Sequence, residues 1–378
     1  MTALPRPVAH DFVARTSASG KVNAVGYHPC QGLYWHPVGE RPKVAFLASH
    51  YNVCFMEHYL APILAARGFG FLGWNTRFRG AEQWFLLEHA LLDIAAGMRF
   101  LREEAGVETV VLLGNSGGGS LMAAYQSQAT EPNVRATPGG SLPGGLDALV
   151  PGDFYVSLQA HVGRPEVFTD WLDPSVTDEN DPLSVDPTLD MYAKENGPPY
   201  SADFVARYRA AQVARNERIT DFALAELERC RKHGAMDRTF AIHRVWADPR
   251  LLDATLDPSD REVGRCYLGP AKMMNYSPFN IGATCTLRTW LSMWSLRTSQ
   301  CRGAPHLARV KVPSLVLQST ADTGVFPEDG RRIHAALAAP DKELELFPGC
   351  HYLETPTGIR EHVADRIVAF LAARGCAP

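Results

Sequence analysis

A serine in a glycine-rich turn is the strongest candidate for chemistry in this sequence. Gly114-Asn115-Ser116-Gly117-Gly118 has the spacing G-x-S-x-G, and it lies between an apolar run at 109–113 and a helical pattern that opens near 121. Small residues two positions before and after a serine permit a tight strand-to-helix turn that lifts the hydroxyl above the sheet. The turn lacks the phosphate-binding patterns G-x-x-x-x-G-K-[ST] and G-x-G-x-x-G. Ser116 is therefore predicted to be a nucleophile.

A serine hydroxyl attacks only when a base removes its proton, and a histidine oriented by a carboxylate is suited to that task. His351 follows the apolar run 344–347, and Asp322 follows the run 312–317. Side chains beyond the carboxyl ends of parallel strands meet at one edge of the sheet. We predict that His351 acts as general base and then general acid, and that Asp322 orients its imidazole. Three nearby carboxylates stay open as alternative acids: Glu328, Asp329 and Glu354.

Attack on a carbonyl also creates an oxyanion, which needs hydrogen-bond donors. We expect the backbone N–H of Gly117 to be one donor and the loop Ser49-His50-Tyr51-Asn52-Val53 to supply the other. The N–H of Asn52 is favoured in that loop, followed by the N–H of Tyr51. The Asn52 side chain, the Tyr51 hydroxyl and a purely structural loop stay open as alternatives.

A further set of side chains is predicted to contact the substrate. His50 belongs to the oxyanion loop, and His161 follows the apolar segment 149–160. Met273, Trp290 and Trp294 belong to an aromatic stretch near 272–297, which forms either the core of its own region or a roof over the site. As a roof, it would select a hydrophobic or aromatic group of the substrate.

These candidates are positioned by an alternation of buried apolar runs with amphipathic helices. Such alternation indicates an α/β fold, with a mostly parallel sheet that helices cover on both faces. A hairpin that pairs 12–15 with 22–25 is predicted before the first of these runs. The runs that read as parallel strands are 44–48, 69–74, 109–113, 149–160, 312–317 and 344–347.

The alternation breaks in the middle of the chain, where Pro-Asp-rich loops and a long polar helix near 201–232 appear. The pattern returns near 308 and continues to a final helix. We therefore predict one discontinuous core domain, 1–160 with 308–378, interrupted by a mainly helical cap at 161–307.

Charge and composition exclude several classes of partner. The 378 residues include 37 Lys and Arg against 41 Asp and Glu, so the net charge is −4, which gives no electrostatic footprint for nucleic acid or an anionic membrane. The sequence contains neither an apolar run long enough to span a membrane nor a secretory-signal pattern. Eight scattered cysteines without a CxxC pair predict free thiols, a cytoplasmic protein, and no metal or cofactor. The oligomeric state stays open, a homodimer included.

Taken together, the turn at Ser116, the Asp322 loop, the loop Gly349-Cys350-His351 and the His50-Tyr51 loop resemble the α/β-hydrolase superfamily. The resemblance covers 1–160 and about 308–378, and members of this superfamily often insert a cap after the sixth strand. His50-Tyr51 stands where many members have His-Gly. The resemblance implies a serine hydrolase that acts on esters, thioesters, amides or C–C bonds. A serine at position 116 argues against the branches that use an aspartate nucleophile.

We therefore expect an α/β-hydrolase with an inserted helical cap. It would cleave a carboxylic ester of a hydrophobic or aromatic small molecule through an acyl-enzyme. Within the same class, a thioesterase, an amidase, a C–C hydrolase and an acyltransferase would use the same triad. A catalytically silent small-molecule-binding protein on this fold is the alternative from another class.

Overall fold

A computed structural model describes residues 5–19 and 30–378. The strands are β1 (Val8–Arg15), β2 (Cys30–Pro37), β3 (Val44–His50), β4 (Gly70–Asn75), β5 (Thr109–Asn115), β6 (Phe154–Leu158), β7 (Thr239–Ala241), β8 (Arg265–Cys266), β9 (Gly269–Pro270), β10 (Thr284–Thr286), β11 (Ser314–Ser319) and β12 (Lys342–Phe347). The helices are α1 (Ala61–Ala66), α2 (Leu87–Arg99), α3 (Gly118–Thr130), α4 (Arg164–Trp171), α5 (Ala202–Lys232), α6 (Ala271–Asn275), α7 (Leu287–Thr289), α8 (Ala304–Leu307), α9 (Pro327–Ala336) and α10 (Ile359–Ala372).

The main sheet, as far as the described residues show it, has eight strands in the order β1-β2-β4-β3-β5-β6-β11-β12. The pairs β1–β2 and β2–β4 are antiparallel, whereas every pair from β4 to β12 is parallel. All residues of β3, β4, β6 and β11 are buried, because helices cover both faces of the sheet. Helices α1 and α10 pack on one face, and α2, α3 and α9 pack on the other. The predicted α/β fold class is confirmed.

The N-terminal edge of the sheet contains a strand pair that the sequence did not predict. β1 pairs with β2, with Arg15 opposite Cys30. The predicted partner strand 22–25 lies outside the described residues. The actual partner, β2, alternates between buried and partly exposed residues, and this alternation is the signal that identifies a half-covered strand.

The chain between β6 and β11 forms an insertion over the carboxyl edge of the sheet. It contains α4 to α8 and two small sheets, one from β7 with β10 and one from β8 with β9. The β8–β9 hairpin has Tyr267 and Leu268 at its tip. The insertion has one small apolar cluster of its own, which includes Met191, Tyr200, Phe204 and Tyr208. The domain limits at 161 and 307 stay a prediction.

Two further observations concern the whole molecule. Within the described residues, no helix is long and apolar enough to cross a membrane. All eight cysteines fall within the described residues and carry free thiols.

Candidate active site

Ser116 occupies the turn between β5 and α3 in a left-handed backbone conformation, with φ of 55°. Its N–H donates to the carbonyl of Leu158 at 3.1 Å, which ties the turn to β6. A Cβ atom on Gly118 would lie 2.3 Å from the Ser49 carbonyl oxygen, and one on Gly114 would lie 2.6 Å from the Cα of Gly119. Side chains at either position would therefore collide with backbone. The glycines of the motif are required for the turn to close and to present the hydroxyl.

A continuous chain of hydrogen bonds runs from Ser116 through His351 to Asp322. The Ser116 Oγ lies 3.2 Å from His351 Nε2, and His351 Nδ1 lies 2.6 Å from Asp322 Oδ2. The other carboxylate oxygen of Asp322 accepts the N–H groups of Gly324 at 2.8 Å and Val325 at 2.9 Å. Because Asp322 accepts the proton on Nδ1, His351 Nε2 is left to accept the serine proton. The structure thus brings together three residues that lie 235 positions apart at most.

The alternative acids lie elsewhere. Glu328 and Glu354 are exposed. Asp329 is buried, but its carboxylate accepts the N–H of Phe326 at 3.0 Å and caps the start of α9. Burial raises the pKa of Asp329 to about 6, and the nearby Arg250 cation opposes that rise. Asp322 is therefore the carboxylate that contacts the histidine.

A second histidine also contacts Ser116. His161 Nε2 lies 3.3 Å from Ser116 Oγ, and the His161 N–H donates to the Ser116 carbonyl at 3.1 Å. Its Nδ1 is buried and has no hydrogen-bond partner in the part of the chain that the structure describes. Burial, reinforced by the Arg164 cation, lowers the pKa of His161 well below its usual range. His161 is thus a neutral ring beside the serine.

The predicted oxyanion loop is arranged differently from the expectation. The Tyr51 hydroxyl is hydrogen-bonded to Ser120 Oγ at 3.0 Å inside the core, so it is not a donor to the site. Asn52 lines the cavity, but its N–H points to His50 Nδ1 at 3.4 Å, and the Val53 N–H points to the same nitrogen at 3.3 Å. The loop folds around His50 because the imidazole accepts its amides. Gly117 lies next to the His50 ring, because a Cβ atom on Gly117 would be 2.8 Å from His50 Nε2.

Arg164 is a site residue that sequence reasoning missed. Its side chain is only 1% exposed, and it lies at the start of α4, directly beyond β6. Nη2 donates to Glu82 at 3.0 Å, and the guanidinium stacks between Tyr51 and Trp294 at 4.9 and 4.5 Å. No motif surrounds Arg164 in the sequence. Its position just past the carboxyl end of a parallel strand is the signal that could have identified it.

A cavity of about 330 Å³ opens onto Ser116. Two of the predicted substrate contacts, His50 and His161, line it. The remaining lining includes Asn52, Val53, Phe55, Tyr59, Arg164, Tyr267, Leu268, Ile281, His351 and Tyr352.

The other three predicted substrate contacts lie away from this cavity. Trp290 and Trp294 are fully buried in the insertion, where both rings pack against Phe168. Met273 is 61% exposed on the surface of α6. The interpretation of the two tryptophans as a roof is therefore corrected, because both rings belong to the apolar cluster that the insertion shares with the core domain. Trp294 reaches the site only indirectly, under the guanidinium of Arg164.

The tip of the β8–β9 hairpin supplies another residue that the sequence did not reveal. Tyr267 stacks on His351 with ring centroids 4.6 Å apart and planes 13° apart. Gly324, two residues beyond Asp322, permits this approach, since a Cβ atom there would lie 2.0 Å from the Tyr267 ring. The insertion thus contacts the histidine and the acid loop together.

Comparisons with known proteins agree with this architecture. The sequence matches no family model and no curated protein. Among solved structures, it is similar to the α/β-hydrolase GrgF from Penicillium sp. sh18, with 12% identity and a TM-score of 0.55 over 97% of this chain and 98% of that chain. It is also similar to DcsB, solved with a substrate analogue, with 12% identity and a TM-score of 0.52 over 97% and 99% of the two chains. At this identity the likeness establishes the fold, so the chain has the α/β-hydrolase fold.

Proposed function

We propose that the protein is a serine hydrolase that cleaves a carboxylic ester of a small molecule through an acyl-enzyme. The hydrogen-bonded series Ser116, His351 and Asp322, with contacts of 3.2 and 2.6 Å, is the observation that carries this proposal. A buried carboxylate, an oriented imidazole and a strained serine together form the machinery of nucleophilic acyl transfer.

The reaction proceeds in two halves. Ser116 Oγ forms a bond to the ester carbonyl carbon while its proton moves to His351 Nε2, and the C=O electron pair moves onto the carbonyl oxygen. When the carbonyl re-forms, the C–O bond to the alcohol breaks, and the leaving oxygen takes the proton from His351. Water then repeats these steps against the acyl-enzyme and releases the acid. Asp322 stabilises the imidazolium in both halves.

The cavity supports a hydrophobic or aromatic substrate. Val53, Phe55, Leu268 and Ile281 give it an apolar lining, and its volume of about 330 Å³ lies at the small end of typical ligand pockets. A thioester, an amide, a C–C bond or transfer to an acceptor other than water would use the same three residues. The eight free thiols support a reducing compartment, and so a cytoplasmic enzyme.

A fluorophosphonate probe tests the nucleophile directly. We expect it to label the wild type at Ser116 and to leave Ser116→Ala unlabelled, whereas the exposed Ser141→Ala control keeps full labelling. Ser116→Ala and His351→Ala should each lose several orders of magnitude in kcat.

A panel of p-nitrophenyl esters, acyl-CoAs and amides then identifies the bond that is cleaved. Hydrolysis of none of the esters would contradict an esterase. An unlabelled wild type would instead favour the non-catalytic binding protein.

A further inference from the structure

The loop after β3 directs two of its amides inward. The N–H groups of Asn52 and Val53 both point to His50 Nδ1, at 3.4 and 3.3 Å. An imidazole nitrogen that accepts hydrogen bonds carries no proton, so the proton of neutral His50 is on Nε2. Burial, and then the Arg164 cation, lower the pKa of His50 well below its usual range, which keeps the ring neutral. His50 therefore offers one hydrogen-bond donor, and that donor is Nε2.

Two side-chain donors meet at the residue after the nucleophile. A Cβ atom on Gly117 would lie 2.8 Å from His50 Nε2 and 3.0 Å from Arg164 Nη1. Both side chains line the cavity that contains Ser116. The N–H of the residue after the serine is the expected oxyanion donor on this type of turn. His50 and Arg164 consequently converge on Gly117, and a side chain at 117 would crowd both.

Arg164 has donors that the protein does not use. A guanidinium has five N–H bonds, but among the described residues it donates one hydrogen bond, from Nη2 to Glu82. Its Nε is buried and has no partner there. Buried polar groups of this kind nearly always have a partner, so a guanidinium that lines the cavity with unused donors indicates a ligand oxygen.

We propose that His50 Nε2–H and the Arg164 guanidinium, together with the Gly117 N–H, bind the oxyanion of the tetrahedral intermediate. This inference rests on the proposed function. As the Ser116 Oγ–carbon bond forms, the carbonyl π pair moves onto the oxygen, and the new charge develops beside the fixed cation. These side chains take the place of the Asn52 N–H, which the sequence favoured and which points to His50 Nδ1 instead.

The surroundings hold both donors in place before the reaction begins. Arg164 is stacked between Tyr51 and Trp294 and paired with Glu82, which also accepts the N–H of Gly282 from the insertion at 3.0 Å. Donors that are fixed in a water-excluded site stabilise a developing charge without reorganising, and losing one costs roughly 10²–10³ in kcat.

His50 offers a matched pair of variants. In His50→Asn, the amide oxygen still accepts the loop N–H groups near the position of Nδ1, but the donor at Nε2 is lost. In His50→Gln, the amide nitrogen reaches the position of Nε2 and the donor is retained. We expect kcat for a neutral ester to fall about 10²–10³-fold in His50→Asn with little change in KM, and to be largely kept in His50→Gln.

Arg164 is tested with its partner, so that no unpaired charge is left buried. The double variant Arg164→Met, Glu82→Gln should lower kcat by a similar factor of about 10²–10³. The matched control is Arg77→Met, Asp93→Asn, which removes another buried ion pair that does not line the cavity and should leave kcat near the wild-type value. Thermal unfolding of each variant separates loss of fold from loss of catalysis.

A transition-state mimic gives a readout that a structural role would not change. A trifluoromethyl ketone forms a hemiketal oxyanion on Ser116, whereas the matching methyl ketone binds as an unreacted ground-state analogue. We expect the ratio of their affinities to fall in His50→Asn and in the arginine double variant by the same factor as kcat.

Three results would overturn the inference. The first is that kcat and the affinity ratio of His50→Asn and of the arginine double variant equal those of the wild type, while the wild type is labelled and active. The proposed function would then stand. The second is a rise in KM confined to substrates that carry a carboxylate, since Arg164 would then bind a substituent of the substrate. The third is a wild type that neither labels nor hydrolyses, which removes the proposed function as well.

Discussion

Tyr267 lies flat against His351, with ring centroids 4.6 Å apart and an angle of 13° between the planes. The tyrosine belongs to the insertion, and the histidine belongs to the loop after β12. In the proposed mechanism, His351 becomes positively charged when it takes the serine proton, and an aromatic face beside a cation stabilises that charge. The insertion therefore contacts the proposed catalytic base as well as lining the cavity.

Removing this ring should slow catalysis. Tyr267→Ala is expected to lower kcat roughly 30-fold, equivalent to about 2 kcal/mol for a desolvated cation–π contact. Tyr267→Phe keeps the ring and should resemble the wild type. Equal losses in the two variants would show that the hydroxyl, not the stacked face, is what matters.

Asp322→Asn tests the orientation of the histidine. An asparagine oxygen can still accept the N–H groups of Gly324 and Val325, but the amide nitrogen that then faces His351 Nδ1 cannot accept its proton. We expect the fold to survive and kcat to fall by about 10⁴, the size of loss that the wrong imidazole tautomer causes in a triad. A variant that keeps near-full activity would assign the acid to another carboxylate.

Asp329 should make stability depend on pH. Its pKa is raised by burial from 3.8 to about 6, so the folded state binds a proton that the unfolded state releases between these values. The stabilising contribution is complete below pH 3.8 and is lost as pH rises through 6. The free energy of unfolding of Asp329→Asn, minus that of the wild type, should thus rise by about 3 kcal/mol across this window.

Denaturant titrations at a series of pH values measure this difference. Glu328→Gln, at an exposed neighbouring position on the same helix, is the matched control for loss of a carboxylate. A difference that stays constant with pH would contradict the effect of burial.

The two additional histidines should not contribute to the acid limb of the pH–rate profile. Burial and the Arg164 cation lower the pKa of both His50 and His161 well below the usual range, so neither ring gains a proton where hydrolases are normally assayed. His50→Asn and His161→Gln are therefore expected to change the height of the profile and to leave its acid limb in place. Disappearance of the limb in either variant would identify that ring as the titrating group.

Local sequence patterns predict the scaffold and the proximity of Ser116, Asp322 and His351. Continuous apolar runs identify strands buried on both faces, and the runs that begin at Val44 and Thr109 start at the same residues as β3 and β5. Ser116 follows β5, Asp322 follows β11 and His351 follows β12, all at the same edge of the sheet. The topology alone therefore brings the three residues near one another. Motif, strand and chain order all agree at these positions.

The rest of the site depends on contacts between distant segments. Arg164 meets Glu82 across 82 positions, and Tyr267 reaches His351 from a two-residue hairpin tip inside the insertion. No periodicity encodes such contacts, because they depend on how the insertion packs on the core. For the same reason, the sequence shows that Trp290 and Trp294 are apolar, but it does not show which surface of the insertion buries them.

The close approach of Tyr267 to Gly324 links two segments that selection would otherwise change independently. A methyl group at position 324 would overlap the ring, so homologues that keep an aromatic residue at 267 should keep glycine at 324. Lineages that lost the ring could accept larger residues in the acid loop. Substitutions at 267 in the insertion would then be coupled to substitutions at 324 in the core domain. Paired changes at these two positions would record the evolutionary history of the insertion.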